Sequence, residues 1–250
     1  MRDATSPPTT LTIPRRFCGP PSSGNGGWSA GALAAYLPFG PVRVMLRKPP
    51  PLDVALDIAL DINGRASATW NDVLIAIAQS AGAEVGEVEP VTSEQARAAE
   101  AFFAGLTSHP FDTCFSCGTA REPGDGLRIF PGRVNDDNEG RVRVAATWTP
   151  DRSLSENPGE AETTLPVAWA ALDCVGGWAG DLSERSMVLG SMTAQVHDLP
   201  RIGETYVLVG GARGGEGRRT TTASTLYDAS GRAVASAEHV WFAVDPADFA

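Results

Sequence analysis

The stretch LPVAWAALDCVGGWAG, Leu165 to Gly180, decides how the chain is read. Trp169, Leu172, Val175 and Trp178 spread over every face of a helix drawn through it, and a helix with no polar stripe is buried on all sides. Pro166 suits its first turn, where a missing N–H costs nothing. One residue breaks the pattern. Asp173 sets a carboxylate in apolar surroundings at a cost of several kcal/mol unless it is well hydrogen-bonded. A fold keeps such a group when it is fully satisfied or when it does chemistry.

Composition limits what can surround that helix. The 250 residues allow one large domain or two fused small ones, and 42% hydrophobic with 20% charged is an ordinary globular balance. A formal net charge of -10 argues against nucleic acid or anionic membrane as partner. No apolar run reaches the ~18 residues of a membrane span. The first residues, MRDATSPPTT, lack the apolar core of a secretory signal and are expected to be a disordered lead-in over 1–11. Four cysteines are too few and too irregular for a disulfide framework, so the expected location is the cytoplasm.

Outward from the helix, the two parts of the chain share one plan. In the first unit, 12–80, TLTIPRRF reads as a short strand, a Gly/Pro/Ser loop follows, and Gly26 to Leu37 reads as a small-residue apolar helix. PVRVML alternates as a strand, VALDIALDI follows it, Asn63-Gly64 signals a hairpin, and ASATWNDVLIAIAQSA is expected to return as one long strand. Residues 81–113 form a connector, with a surface helix capped by Thr92 or Ser93. The second unit, 114–250, offers a strand at Leu127 to Phe130, a turn at Asp137 to Gly140, and the strand RVRVAATWTP before the opening helix. Four strand-like runs come after the helix, with a hairpin turn at Asp228 to Gly231. Pro49–Leu52 and Leu199–Ile202 fall at matching places. Identity between the halves is low, so the duplication rests on order and pattern.

These residues resemble the hotdog-fold acyl-CoA thioesterase superfamily in its tandem, double-hotdog form. The resemblance is carried by Cys114-x-x-Cys117-Gly118 with Gly126-Leu127, by Trp148-Thr149-Pro150-Asp151, by Ala171-Leu172-Asp173, and by the Gly231-Arg232-Ala233-Val234-Ala235-Ser236-Ala237 strand. Asn25-Gly26-Gly27 is similar to the His-Gly-Gly approach to the helix in those enzymes, with asparagine in the histidine position. The resemblance spans about residues 12–245 and implies an α+β fold, two antiparallel sheets each wrapped around a central helix. It also implies an acyl-CoA or acyl-carrier thioester as substrate, no cofactor beyond the coenzyme A of that substrate, and a monomer that imitates a dimer, with further homodimerisation open.

In the family, paired units lay their helices antiparallel, and each site joins one helix N-terminus to the acid of the other unit. Here the first helix has Ala34 near the place matching Asp173, and TTLPVAW replaces the glycine approach in the second half. Only one complete site can therefore be assembled, from the N–H groups of Gly26, Gly27 and Trp28 and the carboxylate of Asp173. Preorganised N–H donors stabilise a tetrahedral oxyanion by roughly 3–4 kcal/mol, and the helix dipole adds to them. Asp173 would activate water or attack the carbonyl. Asn25 would orient the thioester or the water, Ser29 and Thr193 would line the site, and Arg47, with Arg43 and Lys48, would meet the phosphates. The bland alternatives are a structural acid at Asp173 and a turn residue at Asn25.

Cys114 and Cys117 have zinc-like spacing, but no second Cys/His pair lies nearby and His109 adds one ligand at most, so no metal site is expected. Cys174 follows Asp173 directly and is expected about 100° away on the helix. The absence of a D-x-N-x-x-H arrangement disfavours a hotdog hydratase. A non-catalytic acyl-CoA or lipid-binding module is the rival from another class.

Overall fold

In a computed structural model, the structure describes residues 9–249. The opening helix is α3, Leu165–Ala179, with Pro166 in its first turn and Gly180 closing it. Its counterpart α1, Gly26–Ala34, is three residues shorter than expected, because the chain loosens into turns before Pro38. The two helices pack against each other in the middle of the molecule. Gly27 and Gly31 lie one turn apart on the face of α1 that meets α3. A Cβ on Gly31 would come within 2.8 Å of Pro166 Cα, and one on Gly27 within 2.7 Å of the Trp169 carbonyl oxygen. Only hydrogen fits at these positions, so the crossing is backbone against backbone.

Around this pair runs a single antiparallel sheet of eleven strands. The first unit supplies β1 (Thr10–Thr12), β2 (Val42–Leu46), β3 (Ala55–Leu60), β4 (Ala66–Trp70) and β5 (Val73–Ser80). The second supplies β6 (Gly132–Val134), β7 (Arg143–Trp148), β8 (Met187–Val196), β9 (Tyr206–Glu216), β10 (Arg219–Tyr227) and β11 (Ala233–Ala243). The order is β1-β3-β4-β5-β2-β8-β11-β10-β9-β7-β6. Read outward from the β2–β8 seam, where Val42 faces Ala194 and Val44 faces Met192, both halves run the same way. The duplication thus extends from sequence pattern to strand order. Matching hydrogen bonds, both 2.8 Å, tie Gly24 N–H to the Pro50 carbonyl and Thr163 N–H to the Pro200 carbonyl, just ahead of each helix.

Three hairpins close on one sequence device, Asp-x-x-Gly-Arg. In Asp61–Arg65, Asp137–Arg141 and Asp228–Arg232 the aspartate Oδ1 accepts the N–H groups two and four residues on, at 2.8–3.1 Å. The aspartate replaces backbone partners that the turn cannot supply.

Four expectations need correction. ASATWNDVLIAIAQSA is not one strand but β4 and β5, joined by Asn71 and Asp72 at φ +48° and +62°. Both residue types tolerate the left-handed region, so the pair makes a two-residue hairpin without glycine. Leu127–Phe130 is no sheet strand: Leu127 and Ile129 N–H bond the Phe115 and Ser116 carbonyls, and Arg128 between them sits at φ +53°. The lead-in expected over 1–11 lies outside the described residues for 1–8, while Thr10 and Leu11 belong to edge strand β1. Finally, α2 (Ser93–Glu100) is more than a bridge. Thr92 and Gln95 form a capping box at its start. Ala96, with Val88 before it, covers Ala145, Val207, Val209 and Ala223 on the outer face of the second-unit sheet, and Val88 N–H donates to Thr225 Oγ1. That sheet is buried on both faces, which explains why Val144, Ala145 and Ala146 are all buried in succession. Among the described residues no helix is long and apolar enough to cross a membrane.

Candidate active site

Asn25 starts α1. Its Oδ1 accepts the Trp28 N–H at 2.8 Å, the bond an N-cap makes to the third helical residue. Its Nδ2 lies 3.3 Å from Ser116 Oγ, which itself donates to the Ala170 carbonyl of α3 at 2.7 Å. The asparagine is thereby fixed between the two helices. Gly27 N–H donates to Asp173 Oδ2 at 2.8 Å, a bond between residues 146 apart in sequence. The close approach at Gly27 is what lets the carboxylate reach the helix end.

Asp173 is 2% exposed, and its other oxygen, Oδ1, has no hydrogen-bond partner among the described residues. Burial pushes its carboxyl up to about 7, and the neighbouring Cys114 adds to the rise, while the Gly27 N–H and the Asn25 side chain oppose it. Asp173, Asn25 and Gly26 line a cavity of about 210 Å³ with apolar walls, Leu182 and Trp241 among them, and Arg47 and Lys48 at its rim. Of the first-turn amides, Trp28 is taken by Asn25 and Gly27 by Asp173, and Gly26 is the first-turn residue that lines the cavity.

The remaining expected residues fall elsewhere. The Trp28 side chain stacks on Phe17 at 4.3 Å between ring centroids and lines a separate cleft. Ser29 is buried behind Gly24, a residue of the cavity wall, and does not itself line the cavity. Thr193 sits on β8 between Arg43 and Glu238, on the face turned from the helices. Arg43 is exposed there as well.

One feature was not seen in the sequence, and the structure completes a second that was. First, Cys114, Cys117 and Cys174 converge: their sulfurs all lie within 4.8 Å of one another, fully buried, on the wall of the same cavity. Helical phase separates the side chains of Asp173 and Cys174, yet a cavity wall is wide enough to take both. The thiols of Cys117 and Cys174, then the backbone N–H groups of Cys117 and Ser116, hold Cys114 well below the ordinary thiol range. Burial pushes Cys117 up. His109 is spoken for: its Nδ1 accepts the Phe111 N–H at 3.0 Å and its Nε2 lies 3.1 Å from the Cys117 carbonyl, which fits one neutral tautomer. The second feature is Pro166. Counted from the N-caps Asn25 and Thr164, Gly27 corresponds to Pro166 and Ala34 to Asp173. At the second crossing the N–H donor and the acid are both absent, and Ala34 borders a pocket walled by Leu37, Val42, Trp169 and Ala194.

No protein-family model and no curated protein matches this sequence. Solved structures do. A candidate thioesterase from Novosphingobium aromaticivorans superposes with a TM-score of 0.64 at 12% identity, over 94% of this chain and 95% of its own. A conserved hot dog fold protein of unknown function from Alicyclobacillus acidocaldarius gives 0.59 at 9%, over 95% and 93%. The tesB protein of Mycobacterium avium subs paratuberculosis gives 0.54 at 11%, over 96% and 90%. With the mirrored strand order, these matches define the chain as a double hotdog.

Proposed function

We propose that the protein hydrolyses an acyl thioester, with acyl-CoA as the substrate class, at one composite site between the N-terminus of α1 and Asp173. The observation that carries this is the 2.8 Å bond from Gly27 N–H to Asp173, which leaves a buried carboxylate oxygen free at the cavity wall. Asp173 Oδ1 takes a proton from water, and the hydroxide formed adds to the thioester carbonyl carbon. The oxyanion lies against the Gly26 N–H and the positive end of α1, where charge develops in a dry site. Collapse breaks the C–S bond, and the Asp173 carboxyl returns its proton to the departing thiolate. Arg47 and Lys48 at the rim suit the phosphates of coenzyme A, and a cavity smaller than the about 300–1,000 Å³ of drug-sized sites suits a short acyl group.

The test is Asp173→Asn, which keeps an acceptor for Gly27 N–H and removes the base. Turnover of short-chain acyl-CoAs is expected to fall about 10²–10⁴-fold, the usual contribution of a positioned base. Undiminished turnover in the variant, or acyl-CoA binding without any turnover by wild type, overturns the mechanism.

A further inference from the structure

We propose that Cys114, Cys117 and Cys174 bind one Zn²⁺ ion, with a fourth coordination position facing the cavity beside Asp173. The loop that carries Cys114 and Cys117 and the helix that carries Cys174 bring three sulfurs within 4.8 Å of one another, with Cys114 and Cys174 3.6 Å apart. Zinc bonded to thiolates at about 2.3 Å in a tetrahedron sets its sulfurs about 3.8 Å apart. One pair already has that spacing, and the third sulfur lies within 4.8 Å of both. None of the pairs is a disulfide.

An amide donor also faces the sulfurs. Asn25 Nδ2 lies 3.6 Å from Cys114 Sγ and 3.9 Å from Cys174 Sγ. The buried indole N–H of Trp178, on the same helix as Cys174 and near Cys117, has no hydrogen-bond partner among the described residues. A buried donor without a partner can hydrogen-bond a metal-bound thiolate and steady it. The Cys-x-x-Cys-Gly loop is also tightly folded. A Cβ on Gly118 would come within 2.4 Å of the Cys114 carbonyl oxygen, so glycine is required for the loop to double back and bring both sulfurs to one side. Soft, buried thiolates select a thiophilic ion over Mg²⁺ or Ca²⁺. Each thiol gives up its proton on coordination, so the three thiolates and Zn²⁺ carry a net charge of -1 and three protons leave to solvent. His109, with both ring nitrogens engaged by backbone, is not a ligand.

The test uses the full chain, purified under reductant and without chelator. Elemental analysis is expected to find stoichiometric zinc. Co²⁺ replacing it should give thiolate-to-metal charge-transfer bands and tetrahedral d–d bands that Zn²⁺ abolishes. Cys114→Ser, Cys117→Ser and Cys174→Ser should each weaken binding at least about 100-fold. Cys18→Ser, at a buried cysteine outside the cluster, should leave it unchanged. Wild-type protein with no zinc and no Co²⁺ charge-transfer bands overturns the proposal, whether or not the serine variants fold. So does retention of stoichiometric metal by the three variants. Neither readout depends on thioester turnover.

Discussion

Gly27→Ala is the sharpest test of the helix crossing. The added Cβ would lie 2.5 Å from Asp173 Cβ, 2.7 Å from the Trp169 carbonyl oxygen and 3.0 Å from Asp173 Cγ, where ordinary contact begins at 3.4 Å. The Trp169 oxygen is backbone and cannot swing aside, so α1 and α3 must part by nearly 1 Å. The 2.8 Å bond from Gly27 N–H to Asp173 would then stretch past the range of a hydrogen bond. Overpacking costs about 1–3 kcal/mol, and losing a hydrogen bond to a charged group about 1.5–3 kcal/mol. Against this, alanine in place of glycine in a helix recovers up to ~1 kcal/mol. The clash wins, by about 3 kcal/mol net. In a chain of this size that lowers the melting temperature by roughly 6–12 °C. A displacement of this size is also expected to cut thioester turnover about 10²-fold. Thermal unfolding and turnover of short-chain acyl-CoAs read the two effects. Gly82→Ala, where the added Cβ meets nothing within 4 Å, is the control and should change neither. A Gly27→Ala protein as stable and as active as wild type would refute the crossing described above.

Two further outcomes follow from the same geometry. Ala34→Asp places a carboxylate at the position that matches Asp173, 3% exposed, where the counterpart of Gly27 is Pro166 and has no N–H to offer. It should destabilise the fold by several kcal/mol and create no second site; a stable variant with raised turnover would contradict the account of the second crossing. His239 is buried against Thr222 and Trp241, and burial pushes its pKa down to about 3 from the 6.5 of a free histidine. Between those values the unfolded chain binds more protons than the folded one, so this stability is full above pH 6.5 and falls as pH falls toward 3. From pH 6.5 to 5 the loss is about 1.6 kcal/mol. Denaturant unfolding at the two pH values should show it in wild type and show less in His239→Gln; equal slopes would refute it.

Much of this was legible because a few residues break a strong local pattern. Asp173 stood out against an apolar helix, and Asn25-Gly26-Gly27 against a loop. Hairpin turns were readable where aspartate and glycine both mark them, and Asn71-Asp72, read as strand interior, lacks the glycine. Other features were not local. Cys114 and Cys117 looked like half a metal site because their third partner is 57 residues beyond Cys117, on a helix whose phase seemed to turn Cys174 away. The role of α2 depends on the outer face of a sheet whose strands lie up to 127 residues later. Thr193 and Ser29 were misplaced for a related reason: polarity along an element does not tell which wall of a cavity the element forms.

The asymmetry of the two crossings has a physical logic that neither helix shows alone. At the first, the acid and the amide satisfy each other: Asp173 gives Gly27 N–H an acceptor, and the amide offsets part of the cost of burying the carboxylate. At the second, proline has removed the donor, so an acid there would be buried with nothing to oppose its desolvation. Conversely, an alanine opposite a glycine amide would leave that N–H without its acceptor. The two positions of each crossing are therefore coupled, and the stable states are both present or both absent. Gly27 with Asp173 is one such pair, and Pro166 with Ala34 is the other.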